Sequence, residues 1–218
     1  MSLLVWLPLT KDIKNYGLSD INFKTNGATL ATNEGKIGPC HYLNGKTISC
    51  SNFTLLETAT EFSACCWVKF TSFPTAGNNA YCICLNNTST SNYKFILGVF
   101  SASDSDGTTA SFRLNILSKS SISGLKLNKW YHLAVCISGT TGYMYIDGEL
   151  KKTVTGLTST AATNLVIGGR STNAAGTTFT GVSASAYYND IRIYNHCLSQ
   201  KEIKTISKGL IAHYPLRD

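Results

Sequence analysis

The chain has 218 residues, of which 43% are hydrophobic and 14% charged, and its formal net charge is +7 at pH 7. This length and composition predict a single all-β domain whose core is large enough to need no disulfide support. The apolar stretches are only as long as strands, so no membrane span is predicted. The basic residues are dispersed, which argues against a nucleic-acid partner.

The first predicted element is an entry strand at residues 3–9, Leu-Leu-Val-Trp-Leu-Pro-Leu, which the proline ends. Residues 210–216, Leu-Ile-Ala-His-Tyr-Pro-Leu, repeat that pattern. A repeated start of this kind is typical of tandem modules. We therefore predict one domain over residues 1–207, followed over residues 208–218 by a linker and the first strand of a further repeat.

From residue 40 onward, apolar and polar residues alternate with the period of two that is typical of strands. Predicted strands cover residues 62–70, 81–85, 93–100, 111–117, 130–137, 143–146, 149–154, 164–169 and 186–194. Asp147-Gly148 predicts a tight hairpin, because both positions tolerate positive φ. Strands this short and evenly spaced indicate a sandwich or a barrel rather than a parallel sheet with crossover helices.

One short helix is predicted near the end of the chain. Ser199 and Glu202 have the spacing of a capping box, in which each side chain accepts a hydrogen bond from a backbone N–H at the helix start. Ile203 and Ile206 give the helix an apolar stripe, and Gly209 is expected to end it.

The eight cysteines are predicted to be buried free thiols. Cys65 and Cys66 are adjacent within an apolar run, and Cys82 and Cys84 lie within another, where cysteine acts as a small hydrophobic residue. No second pair has the spacing of zinc ligands. Thiols of this kind indicate synthesis in a reducing compartment.

Five motifs spread along the chain carry a resemblance to a known family. They include Trp-Val-Lys, Trp-Tyr-His-Leu-Ala-Val, Tyr-Ile-Asp-Gly and Asp-Ile-Arg-Ile-Tyr-Asn, and they occupy residues 38–45, 62–69, 128–135, 145–148 and 189–199. In this order they resemble the concanavalin A-like, laminin-G-like domain family. The resemblance implies an all-β, two-sheet antiparallel jelly-roll sandwich with one short C-terminal helix, usually without catalytic activity.

The segment at residues 197–216 resembles, more narrowly, laminin-G-like modules in tail or appendage proteins of phages and prophages of Gram-positive bacteria. This implies display on a virion after synthesis in the bacterial cytoplasm, next to other domains of the same polypeptide. The first residues also lack the basic start and the small-residue cleavage site of a secretory signal.

No catalytic site is predicted. Glycosidases of this superfamily carry alternating acidic residues on one strand, and a retaining pair lies about 5.5 Å apart. The alternating acids Asp104 and Asp106 occur in a Ser/Gly-rich turn. None of the four histidines has a neighbouring nucleophile or acid in the sequence, and His132 is predicted to be a hydrogen-bonded structural residue.

No cofactor is predicted, with calcium as the alternative, because the resemblance implies that relatives often bind this ion through oxygen ligands. Asn15 stands where the family often carries an aspartate, which removes a charged ligand. Asp12 and Asp20 are spare oxygen donors nearby. Asp190 is expected to pair with Arg192 or to shape a turn.

Carbohydrate binding requires aromatic platforms and a few fixed polar groups. The tryptophans lie in apolar strands and are predicted to be core residues: Trp6, Trp67 and Trp130. The candidate ligand-binding residues are tyrosines that border polar loops or are adjacent on a strand: Tyr16, Tyr81, Tyr93, Tyr187 and Tyr188. Phe73 is a further candidate. Adjacent strand residues face opposite sides, so one of the two neighbouring tyrosines is predicted to be exposed.

These features together predict a non-catalytic adhesion module of a phage tail-like structural protein that binds bacterial cell-surface polysaccharide. The alternative is a purely structural spacer or oligomerisation module in a multidomain virion or surface protein. Either interpretation is compatible with a homo-oligomer.

Overall fold

A computed structural model describes residues 2–75, 78–86, 93–101, 109–116, 118–158, 160–173, 175–180 and 184–209. Two antiparallel sheets form a sandwich, with one short helix at the C-terminal end. The predicted all-β jelly-roll sandwich is confirmed. The predicted repeat start at residues 210–218 and the acids Asp104 and Asp106 lie outside the described residues. Within the described residues, no helix is both long and apolar enough to cross a membrane.

The elements follow one another along the chain as short strands that end in a single helix. In chain order they are β1 (Leu3–Leu7), β2 (Lys24–Asn26), β3 (Thr29–Ala31), β4 (Cys40–Asn44), β5 (Thr47–Cys50), β6 (Glu61–Ser72), β7 (Asn79–Asn86), β8 (Tyr93–Ser101), β9 (Thr109–Ile116), β10 (Ser118–Lys126), β11 (Trp130–Ser138), β12 (Thr141–Ile146), β13 (Glu149–Val154), β14 (Asn164–Ile167), β15 (Arg170–Ser171), β16 (Phe179–Thr180), β17 (Ser185–Tyr194) and α1 (Gln200–Ile206).

The larger sheet has eight strands in the order β13-β12-β11-β6-β17-β4-β3, and β1 pairs with the far end of β17. The other sheet has seven strands in the order β10-β9-β8-β7-β14-β5-β2, and β15 pairs with β16 in a separate ribbon. Along β17 the neighbour changes from β4 to β1, and the register shifts between Asn189 and Arg192 at this point. Asp190 lies there with a φ of 50°.

The core lies between the two sheets and is filled by alternate residues of each strand. Phe62 from the eight-stranded sheet and Phe95 from the seven-stranded sheet meet with ring centroids 5.1 Å apart. Burying one such ring contributes about 1.5–3 kcal/mol to folding. The alternation breaks in β7, where Cys82 and Ile83 both face the core at a β-bulge.

The prediction that all three tryptophans belong to the core is wrong. Trp6 and Trp130 are half-buried, and Trp67 is buried without joining the inter-sheet cluster. In β6, Cys66 and Val68 belong to that cluster, so Trp67 between them projects from the opposite side of the sheet. These strands are apolar on both faces, and period-two alternation cannot show which face is inside.

Several strands were not predicted, and the longest of them is β10. β10 is an edge strand rich in serine, and its composition resembles a loop. Its register against β9 shifts between Ile122 and Leu125, next to Gly124 at a φ of 103°. After this bulge the Leu125 side chain packs in the core. The strand is therefore stabilised by its pairing with β9 and by the burial of this one apolar side chain.

Two local predictions are confirmed. Asp147 and Gly148 join β12 to β13 with φ values of 53° and 82°. The Ser199 side chain accepts a hydrogen bond from the backbone N–H of Glu202, and the Glu202 carboxylate accepts one from that of Ser199, which completes the capping box.

The buried free thiols are also confirmed: the eight cysteines are all free, seven are buried, and Cys197 is half-buried. Burial raises the pKa of Cys65 and Cys82 to about 12. These thiols therefore remain protonated and behave as packing groups.

Replacing Ser199 with alanine is expected to lower the free energy of unfolding by about 1 kcal/mol, because the first turn of α1 loses its side-chain acceptor. Urea unfolding followed by circular dichroism measures the change. Ser121→Ala, at an exposed position of β10, is the matched control and should leave stability unchanged. An equal effect of both substitutions would contradict the role assigned to the cap.

Candidate functional site

The outer face of the seven-stranded sheet carries a group of aromatic and arginine side chains. We call it the tyrosine–arginine cluster, and it consists of Asn79, Tyr81, Tyr93, Phe100, Arg113 and Arg170. Tyr81 and Tyr93, two of the predicted ligand-binding tyrosines, meet there, although no sequence pattern connects them. Tyr81, Gly98 and Arg113 line a narrow recess within the cluster that has no room for a water molecule.

The recess results from strand register and a glycine. Tyr81 in β7 pairs with Gly98 in β8, and Gly98 pairs with Arg113 in β9. Gly98 therefore lies between a tyrosine and an arginine that stand about 10 Å apart, or two strand spacings. A Cβ atom at Gly98 would lie 2.6 Å from the carbonyl oxygen of Ala80, so glycine is required for this close strand approach.

Arg170 links the two tyrosines of the cluster. Its guanidinium carbon lies 5.8 Å from the ring centroid of Tyr81 and 5.7 Å from that of Tyr93, and its Nη1 donates a hydrogen bond to the Tyr93 hydroxyl. Burial raises the pKa of Tyr81 and of Tyr93, against the opposing effect of the Arg170 charge. Both hydroxyls therefore remain protonated at neutral pH and can donate hydrogen bonds.

Arg113 lies on the other side of the recess. Its Nη1 donates to Asn79 Oδ1 over 2.6 Å, and its guanidinium carbon lies 4.5 Å from the ring centroid of Phe100. Burial lowers the pKa of Arg113, and its Nε has no hydrogen-bond partner in the described part of the chain. This partly desolvated cation belongs to none of the three ion pairs found among the described residues.

A second aromatic surface occupies the outer face of the eight-stranded sheet. We call it the aromatic row, and it runs across four neighbouring strands through Tyr42, Tyr187, Lys69 and Trp130. The Tyr42 and Tyr187 ring centroids are 4.6 Å apart. The Lys69 ammonium lies 4.8 Å from the Tyr187 centroid and 5.6 Å from that of Trp130, and it pairs with Glu34 at 2.6 Å.

The aromatic row has the character of a cross-strand ladder that stabilises the sheet. Its ring faces contact one another or Lys69, and the lysine charge is paired. The tyrosine–arginine cluster differs because its Arg113 has no acidic partner in the described residues. We therefore treat the cluster as the candidate site.

The other predicted site residues are dispersed. Tyr188 is 3% exposed within the core, so Tyr187 is the one of the adjacent pair that faces outward, in agreement with strand geometry. Tyr16 is 40% exposed and stands edge-on to Trp6 with centroids 6.3 Å apart. Phe73 packs in the core.

Sequence reasoning missed both arginines of the cluster. Arg113 lies between two core residues, Phe112 and Leu114, so alternation already predicts that it faces outward. No sequence signal connected it with Tyr81, because their proximity depends on the register of three strands. Arg170 follows a predicted strand and carries no local motif.

Asn15 and Asp12, two of the oxygen donors considered for calcium, have other partners. Asn15 Oδ1 accepts hydrogen bonds from the backbone N–H groups of Trp6 and Gly17, at 2.8 and 2.9 Å. Asp12 accepts from the Tyr16 hydroxyl over 3.0 Å. Within the described ranges, no three His, Cys, Asp or Glu side chains lie close enough together to hold a metal ion.

Asp190 forms the predicted pair with Arg192. Its two carboxylate oxygens accept from Arg192 Nε at 2.8 Å and Nη2 at 3.0 Å, and Oδ1 also accepts from the Trp6 indole N–H at 2.8 Å. Burial alone would lower the pKa of Arg192, but Asp190 raises it above the ordinary value. Through its bond to Trp6, Asp190 links β17 to β1 at the point where the strand beside β17 changes from β4 to β1.

The prediction that His132 is hydrogen-bonded through its ring is wrong. The residue is fully buried, and neither ring nitrogen has a hydrogen-bond partner within the described chain. Burial, aided by the charge of Arg192, lowers its pKa to about 3. The ring is therefore neutral at physiological pH, and its surroundings give it a structural role.

The two-sheet jelly roll defines a sandwich domain, and the candidate site lies on the outer face of one of its sheets. A family described as the concanavalin A-like lectin/glucanases superfamily (Laminin_G_3) matches residues 44–204, and the chain belongs to this family. No curated protein matches the sequence.

Solved structures with the same fold include binding domains of bacterial toxins. The binding domain of Paraclostridial Mosquitocidal Protein 1 is 12% identical with a TM-score of 0.70, over 94% of this chain and 52% of that one. The botulinum neurotoxin type G receptor binding domain is 14% identical with a TM-score of 0.64, over 95% and 51%. The botulinum neurotoxin DC binding domain in complex with SialylT is also 14% identical with a TM-score of 0.64, over 95% of this chain and 51% of that one. The chain spans about half the length of these structures, and the likeness is one of fold.

Proposed function

We propose that this protein is a non-catalytic carbohydrate-binding module whose site is the tyrosine–arginine cluster. The observation that carries the proposal is the grouping of Tyr81 and Tyr93 with two arginines on one sheet face, where Arg113 has no acidic partner among the described residues. Aromatic rings offer apolar surface to the C–H face of a sugar, and fixed guanidinium and hydroxyl groups offer hydrogen bonds to its oxygens. Membership of a lectin-like superfamily and the toxin binding domains of the same fold support this proposal.

The finer part of the proposal concerns the biological setting. The module belongs to a phage tail-like structural protein, is displayed on the virion beside other domains of that protein, and contacts bacterial surface polysaccharide. This setting is supported by the resemblance of residues 197–216 to phage appendage modules. The repetition of residues 3–9 at residues 210–216 supports a tandem arrangement.

A glycan array that includes bacterial polysaccharides tests the proposal. We expect the purified protein to bind at least one glycan, and Tyr81→Ala to weaken that binding about tenfold or more by removing a stacking surface. Tyr187→Ala, a half-buried tyrosine on the opposite sheet, is the comparison variant. Binding that survives Tyr81→Ala but is lost in Tyr187→Ala would place the site on the aromatic row instead. Absence of all glycan binding, with a stable oligomer by light scattering, would favour the structural alternative.

Intrinsic fluorescence gives an independent check of which face binds. The tryptophans lie in β1, β6 and β11, all in the eight-stranded sheet, while the cluster lies on the other sheet. We therefore expect a bound glycan to leave tryptophan emission unchanged at saturation. Quenching or a spectral shift on binding would indicate contact near Trp130 and contradict the assignment.

A further inference from the structure

The uncompensated charge of Arg113 indicates what kind of glycan the cluster binds. We infer that the site selects glycans bearing a carboxylate, such as uronate- or sialate-containing polysaccharides, with Arg113 as the residue that binds the acid group. This inference rests on the proposed function and specifies its ligand class.

The first line of support is the unused hydrogen-bonding capacity of Arg113. A guanidinium has five N–H donors in a planar fork that matches a carboxylate. Among the described residues, Asn79 provides its only hydrogen-bond acceptor, and Nε has none. By contrast, the Asp190 carboxylate binds Arg192 through both Nε and Nη2.

The second line of support is the placement of that guanidinium. Stacking on Phe100 holds its plane in one orientation, and the hydrogen bond to Asn79 fixes one end. The half-buried Arg113 side chain stands next to Gly98 in the row. A carboxylate there would gain a preorganised, partly desolvated partner, and such charge-assisted hydrogen bonds are stronger than neutral ones.

The third line of support is the sign of the local charge. Arg170 lies over Tyr81, and the charges of both arginines act on that residue's hydroxyl. Two cations therefore flank one aromatic ring beside the recess. An anionic sugar is attracted to this arrangement, whereas a neutral sugar gains only the stacking and neutral hydrogen bonds.

The test uses an array on which each acidic polysaccharide is paired with its carboxyl-reduced form, alongside neutral and phosphodiester-linked polymers. We expect the wild-type protein to bind a carboxylate-bearing glycan at least tenfold more tightly than its reduced counterpart. Arg113→Gln should remove this preference, so that the acidic and the reduced form bind about equally. Arg113→Lys, which keeps the charge but loses the fork, should give an intermediate preference.

Lys151→Gln removes one positive charge at an exposed position of β13 and is the matched control, expected to keep the full preference. Circular dichroism confirms that each variant is folded, and Arg113→Lys preserves the test if Arg113→Gln is unstable. Equal binding of acidic and reduced forms, or preference for phosphodiester polymers, would overturn the inference and leave the proposed function standing. Absence of binding to every glycan would overturn both.

Discussion

Replacing Asp190 with alanine is expected to lower the free energy of unfolding by about 3–5 kcal/mol. The substitution leaves the partly buried Arg192 guanidinium without its carboxylate and the Trp6 indole N–H without its acceptor. Alanine must also adopt a φ of 50°, in a region that costs a non-glycine residue about 1–2 kcal/mol. Chemical denaturation at neutral pH measures the loss.

Two further variants separate the causes of that loss. Asp190→Asn tolerates positive φ and keeps an acceptor, so it should be less destabilising than Asp190→Ala by about 1 kcal/mol. The double variant Asp190→Asn/Arg192→Met removes the uncompensated cation and should recover part of the stability lost in Asp190→Asn. If the double variant is less stable than Asp190→Asn, uncompensated charge is not the main cause.

Replacing His132 with leucine is expected to reduce the acid sensitivity of the fold. The His132 pKa is about 3 in the folded protein, because of burial and the nearby Arg192 charge, against an ordinary value of 6.5. Below pH 6.5 the His132 ring binds a proton in the unfolded chain but stays neutral in the folded chain. The free energy of unfolding therefore decreases as the pH falls towards 3. Between pH 7 and pH 4.5 this difference amounts to about 2.5 kcal/mol.

The comparison is made by denaturant unfolding of wild type and His132→Leu at both pH values. Between pH 7 and pH 4.5, we expect the free energy of unfolding of the wild type to fall by about 2.5 kcal/mol more than that of the variant, because leucine has no group that binds a proton. His196→Leu, at a half-buried position, is the control and should retain the wild-type acid sensitivity. Parallel losses in wild type and His132→Leu would show that His132 does not carry the effect.

The features that the sequence predicted well are those decided by local backbone chemistry. Asp147-Gly148 forms a hairpin because two neighbouring residues tolerate positive φ. Ser199 and Glu202 cap the helix because their side chains reach backbone groups three residues away. The pairing of Asp190 with Arg192 likewise needed only two positions on one strand.

The predictions that failed depended on which side of a sheet faces inward. Trp67 lies in a strand that is apolar on both faces, and the inner face became known only when the second sheet was in place. His132 lies on the same side as Trp67, with ring centroids 5.4 Å apart, and burial there leaves its nitrogens without partners in the described chain. A sequence pattern does not report what covers a residue.

The sequence by itself therefore determined the sandwich, most of its longer strands, the terminal helix and the family, since these follow from alternation, turn chemistry and short motifs. Only the tertiary structure decided the candidate site. Tyr81, Gly98 and Arg113 come from three strands, and they form one row because the β-bulge and the strand registers place them side by side. Such pairing is set by packing between the sheets, which acts over distances along the chain that no local pattern records.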